Sequence, residues 1–405
     1  MTSDNLDDDE QRILDWLRKR ADDAKDNNGF GLLKTYDNSD RHDIYDNAVA
    51  AILFDLHNDT KRAEQILDCF INKMDGDQYK LLAAAYNADG SINDSRLDAG
   101  NNAWVCIALA HHGRLPGTDS IYMGSAFELK GTLKEQLNFT YNFNEEKPHC
   151  VDRDAGTNVT NSSTEHATDL VAVGRLLYDT NLVDTCQQFV DSMWRSNFFP
   201  DVARGGAYAT GTTQDPPYQV NYNPCPVDCQ TWTLLADADK NATTDNRDRQ
   251  GLAVMESKAF YPPEGETYDN ITYHGVEFSN EGHGIQMENT ASSAMAIAKF
   301  LRENKDKHVD GKTELENKMN AMRDTLILIS KSHDGAVLAC VNPTGITTGE
   351  GYKYFHTPHL AATAWTGLFL GYLRSDDFNP YRLDKIVNKI DDSMSESGER
   401  PSISE

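Results

Sequence analysis

Carboxylate side chains stand where long apolar stretches of the chain begin. Glu288 opens ENTASSAMAIAKF, Asp46 opens DNAVAAILFDL, and an acidic pair lies in STEHATDLVA. Two carboxyl groups held close together can share the work of a general acid and a general base, because burial and like charge move their pKa values apart. The candidate catalytic residues are therefore Glu288, Asp169, Glu165, Asp46 and Glu281.

Aromatic, amide and imidazole side chains accompany these acids. Aromatic rings pack on the apolar faces of sugars, while amides and acids hold hydroxyl groups, so the mixture is typical of a carbohydrate site. Capping is the competing interpretation for any single residue, since Ser162 followed by Glu165 fits a capping box. The candidate substrate-binding residues are Tyr45, Asp98, Asn102, Trp104, His166, Asp228, Gln230, Trp232, Tyr354, His356 and His359.

Six stretches that position these residues are apolar nearly all round, with a spacing typical of buried helices. They recur about every 55 to 75 residues, which indicates a structural repeat. The predicted inner helices are Ile44–His57, Asn101–His112, Thr164–Tyr178, Val227–Ala238, Gln286–Glu303 and His359–Leu373.

The helices that alternate with them are amphipathic. In KRAEQILDCFINKM the apolar residues form one stripe with charges opposite, as an outer helix requires. The predicted outer helices are Leu6–Lys25, Lys61–Met74, Ser125–Leu137, Leu182–Asn197, Arg247–Phe260 and Glu314–Ser332, and NPYRLDKIVNKI is a short closing helix.

Buried helices alternating with amphipathic ones predict an all-α protein, an (α/α)6 toroid of six helical hairpins. Its parallel inner helices direct all six N-termini, with their free N–H groups and partial positive charge, to one end. The chain contains no linker-like break, so residues 1–392 form one domain, followed by a polar tail over 393–405.

Charge and composition limit the classes of partner that the protein can bind. Sixty-four acidic residues against thirty-eight basic ones give a net charge of −26, which argues against nucleic acid. No apolar run is long enough to predict a membrane span, and the acidic N-terminus does not resemble a signal peptide. Compartment and oligomeric state stay open.

No cofactor or metal is predicted from the sequence. The seven cysteines are scattered, and only Cys225 and Cys229 lie close together, without the second pair that a zinc site needs. Phosphate-binding glycine loops, nucleophile elbows, HExxH patterns and EF-hand-like loops are missing from the sequence.

Several segments resemble the six-hairpin glycosidase superfamily, in particular its bacterial glycoside-hydrolase-like branch. The resemblance covers nearly the whole chain, and Glu288-Asn289-Thr290-Ala291 matches the Glu-Gly-Thr-Ala that commonly opens the fifth inner helix, except at Asn289. The segments concerned are YDNAVAAILFDLHNDTKRAEQILD, DSRLDAGNNAWVCIAL, STEHATDLVA, VDCQTW, MENTASSAMAIA and HTPHLAATAWTGLFL.

The resemblance implies a carbohydrate-active enzyme, and first an inverting glycoside hydrolase that cleaves an oligosaccharide or polysaccharide. In an inverting enzyme the acid and the base stand about 6.5–9.5 Å apart. Glu288 is the expected acid, because it begins a very apolar helix. Asp169 or Asp46 is the expected base.

Two alternatives stay open. A polysaccharide lyase or a sugar epimerase would transfer protons through His or Tyr. A catalytically silent carbohydrate-binding or interaction protein would keep the aromatic residues but need no carboxylate pair. The histidines available to the first alternative are His166, His283, His356 and His359.

Overall fold

The computed structural model describes residues 3–28, 30–76, 81–136, 139–143, 147–150, 152–153, 160–199, 205–213 and 219–384. Its α-helices are α1 (Ser3–Asn28), α2 (Ile44–Leu56), α3 (Thr60–Gly76), α4 (Ala99–His112), α5 (Ser120–Gln136), α6 (Thr164–Leu176), α7 (Thr180–Met193), α8 (Asp228–Ala236), α9 (Arg247–Met255), α10 (Met287–Glu303), α11 (Lys312–Ser332) and α12 (Leu360–Arg374).

The even-numbered helices form a closed inner ring. Each packs against the next one along the chain, and α12 packs against α2. The odd-numbered helices lie outside, where α3, α5, α7, α9 and α11 each pack on the inner helix before them and α1 packs on α12. The predicted (α/α)6 toroid is therefore confirmed.

Burial follows the predicted division between the two layers. Eleven of the thirteen residues of α2 are buried, and every residue of α8 is buried. In α3 the buried residues Ile66, Leu67, Phe70 and Met74 lie on one stripe. One apolar cluster runs through both layers and forms the core.

Some helices end earlier than their apolar pattern predicts. α6 stops at Leu176 and α8 at Ala236, because Tyr178 and Asp237 adopt left-handed backbone conformations with φ of 53° and 47°. The described part of the predicted closing helix begins with a short 3₁₀ turn at Pro380–Arg382, which follows another at Asp376–Phe378. The remainder of that segment and the predicted tail over 393–405 lie outside the described residues.

The two ends of the ring differ in their connections. Short antiparallel strands occur in every connection that enters an inner helix from α2 to α12, so they cluster at the N-terminal end. The strands are β1 (Arg41–Asp43), β2 (Ala85–Asn87), β3 (Ile92–Asp94), β4 (Phe139–Phe143), β5 (Lys147–Cys150), β6 (Asp152–Arg153), β7 (Thr160–Asn161), β8 (Trp194–Arg195), β9 (Ala207–Tyr208), β10 (Gly211–Thr212), β11 (Val220–Asn221), β12 (Glu266–Tyr268), β13 (Ile271–Tyr273), β14 (Val276–Glu277), β15 (Ile285–Gln286), β16 (Ile346–Thr347) and β17 (Lys353–Tyr354).

These strands pair as β1–β2–β3 and as the two-stranded ribbons β4–β5, β6–β7, β8–β9, β10–β11, β12–β13, β14–β15 and β16–β17. The connections at the opposite end are shorter, such as 57–59 and 177–179. Binding and catalytic residues concentrate in long loops that a rigid scaffold positions, so this asymmetry favours the N-terminal end as the working surface. Among the described helices, none has the length and apolar character needed to cross a membrane.

Candidate functional site

Glu288 lies in the first turn of α10 and is held by a chain of hydrogen bonds. The Tyr45 hydroxyl donates to Glu288 Oε1 over 2.5 Å, and Trp365 Nε1–H donates to the Tyr45 oxygen over 2.7 Å. Gln286 caps the helix and also donates to Glu288 Oε2 over 3.3 Å. Burial raises the pKa of Glu288 to about 7, although the Tyr45 hydrogen bond works in the opposite direction. Glu288 therefore changes protonation state near neutral pH.

Four further carboxyl groups from the predicted set gather at this end of the ring. Asp46 lies in the first turn of α2, Glu165 and Asp169 lie in α6, and Asp228 is the first residue of α8. Burial raises the pKa of each, to about 8 for Asp169 and about 6 for Asp228. Neighbouring carboxylates raise it further for Asp46, Glu165 and Asp169. This further rise comes from the repulsion between like charges that lie close together.

Asp228 is the acid whose charged form is best stabilised. Its Oδ1 accepts the backbone N–H of Cys229 over 2.7 Å, and the Asn289 side chain and His166 also favour the carboxylate. These interactions oppose the effect of burial. Among these five acids, Asp228 consequently has the lowest pKa for which a value is resolved, at about 6.

An aromatic layer closes the pore beneath these acids. Trp104, Trp232 and Trp365 come from alternate inner helices, and their ring centroids lie 5.6–6.0 Å apart. Tyr381 of the last 3₁₀ turn packs against all three and donates its hydroxyl proton to Asp169 Oδ1 over 2.9 Å. We name Trp104, Trp232, Trp365 and Tyr381 the aromatic floor.

His359 is committed to a structural bond. Its Nδ1 accepts the backbone N–H of Ala362 over 3.2 Å and so caps α12, while Nε2 lies 3.6 Å from Asp46 Oδ2. Burial lowers the pKa of His359 to about 3, so its ring is neutral. Because Nδ1 is an acceptor, the proton belongs on Nε2 and faces Asp46.

Two predicted substrate-binding amides hold loop backbone. Asn102 of α4 accepts from Leu82 N over 2.9 Å and donates to Leu82 O over 3.0 Å. Gln230 of α8 forms the same pair of bonds with Tyr208, over 2.9 and 2.8 Å. Both side chains are buried. They fix the loops that surround the site.

The other predicted residues lie around the rim. Glu281 and His356 are exposed, and so is His283, whereas Tyr354 is half-buried against His359. Asp98, which precedes α4, accepts from the Asn101 side chain over 2.9 Å.

His166 packs directly on Gly100, where any Cβ would collide with the imidazole ring. The first turns of α4 and α6 therefore meet through a contact that only glycine permits.

Trp365, Tyr381 and Glu350 lie at this site and were not predicted from the sequence. Trp365 is the sixth residue of α12, as Trp104 is of α4, so a comparison of equivalent helix positions would have found it. Tyr381 and Glu350 lie outside the repeated helices, where periodicity gives no signal. Glu350 is half-buried, and burial together with Asp228 raises its pKa to about 7.

The described residues contain no group of three or more His, Cys, Asp or Glu side chains arranged to hold a metal ion. The cysteines whose side chains are described, Cys69, Cys106, Cys186, Cys225, Cys229 and Cys340, are buried free thiols.

Solved structures of sugar-converting enzymes share this fold at low sequence identity. A D-mannose isomerase is 11% identical, with a TM-score of 0.63 over 92% of this chain and 97% of that chain. A family 76 glycoside hydrolase from a bovine Bacteroides thetaiotaomicron strain is 11% identical, with a TM-score of 0.58 over 91% and 78%. A cellobiose 2-epimerase from Bacillus thermoamylovorans is 13% identical, with a TM-score of 0.58 over 91% and 99%.

No protein-family model matches the chain, and no curated protein matches its sequence. The structural likeness confirms the predicted (α/α)6 fold.

Proposed function

We propose that this protein is a glycoside hydrolase that inverts the anomeric centre of an oligosaccharide or polysaccharide at the N-terminal end of the ring. One observation carries the proposal: a buried glutamic acid, Glu288, with a pKa of about 7, lies among other buried carboxyl groups and bonds to Tyr45. The fold, which this chain shares with glycosidases, supports it.

Glu288 suits the general acid. Near neutral pH a substantial fraction of it carries a proton, which it can transfer to the glycosidic oxygen as the bond breaks. The carboxylate left behind keeps two donors, the Tyr45 hydroxyl at 2.5 Å and Gln286 Nε2 at 3.3 Å. These donors stabilise the charge that develops during the step.

Asp228 suits the general base. It lies in the first turn of α8, next to α10 in the ring, and its electrostatic effect on Glu288 requires that the two groups be near neighbours. With a pKa of about 6 it is largely ionised at pH 7, so it can accept a proton from the attacking water. Asp169 and Asp46, the bases expected from the sequence, face Tyr381 and His359 instead.

The state of His359 argues against proton transfer by this histidine. A lyase or an epimerase needs an imidazole that can gain and lose a proton near neutral pH. His359 has one nitrogen committed to capping α12 and a pKa of about 3. The carboxyl groups proposed as acid and base, Glu288 and Asp228, by contrast have pKa values of about 7 and about 6.

The test is a screen of α- and β-linked gluco-, manno-, galacto- and xylo-oligosaccharides, with proton NMR of the first anomer released. Inversion predicts that this anomer is opposite to that of the substrate. Asp228→Asn should lower kcat at least about 100-fold and keep the fold. Retention of configuration, or an epimerised or unsaturated product, would contradict the proposal.

A further inference from the structure

The β16–β17 hairpin lies between α11 and α12 and carries a tight turn over residues 348–352. Thr348 N donates to Tyr352 O over 3.2 Å, which closes the turn. Gly349 and Gly351 have φ of 84° and 91°, left-handed values that favour glycine. The glycines thus place Glu350 at the tip of the hairpin. We name residues 346–354 the mouth hairpin.

One edge of the mouth hairpin is fastened to the segment that leads into α10. Ser279 Oγ donates to Thr348 O over 2.5 Å, and His283 N donates to Thr347 O over 3.0 Å. Ser279 also bridges to Pro226, just before α8. This edge therefore lies above the entrances of α8 and α10.

The tip is fastened on the opposite side of the ring. Arg96, which precedes α4, donates from Nη1 to the Tyr352 hydroxyl over 2.7 Å, and its guanidinium carbon lies 5.4 Å from the centroid of that ring. Asp94 holds Arg96 in place with a bond of 2.9 Å. Since α4 is three helices away from α10 in a ring of six, the mouth hairpin crosses the pore entrance.

Glu350 is directed toward the acid cluster. Although it occupies the tip of a turn, its side chain is only partly accessible, and its backbone N–H is held by Thr348 Oγ1 at 3.1 Å. It lies near enough to Asp228 and His166 to interact with both electrostatically. A carboxylate in this position faces whatever occupies the space between hairpin and helices.

We propose that the mouth hairpin roofs the site, with Glu350 as a substrate-contacting residue, so that the enzyme accepts only the end of a sugar chain. On this proposal the site is a blind pocket, with the aromatic floor below it and the mouth hairpin above it. An enzyme that cleaves internal bonds needs a groove open at both ends. This inference rests on the proposed hydrolase function and specifies its substrate as a chain end.

Reducing-end-labelled oligosaccharides of two to eight residues, taken from the linkage that the screen identifies, test the proposal. Cleavage from a chain end should release one unit at a time, so that labelled products shorten in single steps. Labelled fragments of mixed length from the earliest time points would overturn the proposal.

A variant with residues 348–352 replaced by two glycines tests the role of the mouth hairpin, because it removes the tip of the hairpin and leaves the helices unchanged. It should gain internal cleavage, while Lys353→Ala, which changes an exposed side chain of the same hairpin, should keep the wild-type pattern. Glu350→Ala should raise KM about tenfold and change kcat less than about threefold, as expected for a binding contact. An unchanged KM would remove Glu350 from the substrate site.

A binding measurement keeps the two proposals distinguishable. Quenching of tryptophan fluorescence in Glu288→Gln, titrated with polysaccharides of known length, gives the number of protein molecules per chain. A blind pocket predicts one per accessible chain end at every length, whereas a number that rises with length would overturn it. If one protein molecule binds per chain end but the wild type hydrolyses nothing, the blind pocket is supported and the hydrolase function is rejected. If no polysaccharide binds, the blind pocket is rejected.

Discussion

The two ends of the helical ring give their buried carboxyl groups different partners. At the C-terminal end, Asp55 of α2 bonds to His112 of α4 over 2.9 Å, and both side chains are almost fully buried. Asp237, which ends α8, pairs with Lys299 and Arg382. Burial alone would raise the pKa of Asp237, but these cations bring it below its ordinary value. At the N-terminal end, carboxyl groups lie beside other carboxyl groups, and their pKa values rise.

The helix termini account for part of this contrast. Free carbonyl groups at C-terminal ends favour cations, and free N–H groups at N-terminal ends favour anions. The C-terminal end follows this rule and neutralises its charges by pairing. The N-terminal end holds more acid than the helix ends can compensate, which costs stability. Groups held at unfavourable pKa values in this way are typical of functional sites.

The largest expected effect of this contrast concerns activity at the two ends of one helix. Glu288→Gln removes the proposed proton donor at the start of α10 and should lower kcat about 1000-fold or more, while the fold is kept. Glu303→Gln makes the same change at the end of α10, where the side chain is half-exposed and pairs with Lys299. It should leave kcat nearly unchanged. If both variants lost the same fraction of kcat, the distinction between catalytic and structural acids would be wrong.

The stability of the fold, unlike kcat, should depend on the paired acids of the C-terminal end. Asp55→Asn removes the charge that faces buried His112, so the free energy of unfolding in urea should fall by about 1–3 kcal/mol. Asp306→Asn, at an exposed position, should change it by less than about 0.5 kcal/mol. If Asp55→Asn unfolds like the wild type, pairing does not stabilise the C-terminal end.

Stability should also depend on pH through the acids of the N-terminal end. Because the pKa of Asp169 is about 8 in the folded protein against an ordinary 3.8, the folded state binds a proton that the unfolded chain has released between these pH values. Stability therefore falls as pH rises from about 4 to 8, by about 1.4 kcal/mol per pH unit for each such group.

Asp169→Asn should flatten that decline in melting temperature. Asp237→Asn should leave it in place and instead reduce the loss of stability in acid, since the lowered pKa of Asp237 stabilises the folded state only above it. Melting curves from pH 3 to 9 measure both effects. An unaltered decline in Asp169→Asn would show that this carboxyl is ionised in the folded protein.

The smallest effect concerns the tyrosine that adjusts Glu288. Tyr45→Phe removes a hydrogen bond that lowers the pKa of Glu288, so the alkaline limb of the pH–rate profile should move up by about one pH unit or less. At pH 6 kcat should fall less than about tenfold. Tyr178→Phe, at an exposed tyrosine of the opposite end, should not move the limb.

The fold could be predicted from the sequence because the inner helices are apolar on every side. Stretches such as NAVAAILFDL and AATAWTGLFLGYL are buried all round, and both became inner helices. Helix ends were less accurate, since the left-handed conformation of Tyr178 follows from local backbone geometry that the apolar pattern does not encode.

The gathering of polar residues at one end of the ring could be predicted from the sequence, but the partners of each residue could not. Asn102 and Asp228 both lie near the start of an inner helix. The Asn102 amide bonds to the backbone of Leu82, whereas the Asp228 carboxyl lies among other acids. Helical spacing does not distinguish them, because the loops decide which partners arrive. Glu350 and Tyr381 come from segments without periodicity, which only the three-dimensional structure brings to the pore.

The hydrogen bonds from Trp365 to Tyr45 and from Tyr45 to Glu288 determine when the proposed active site can form during folding. The two bonds join residues 320 and 243 positions apart in sequence, so they form only when α12 and α10 have both met α2. Contacts of such long range form late, after local helices and hairpins. During refolding, helical structure should therefore return before enzymatic activity, and the delay between them measures the closure of the ring.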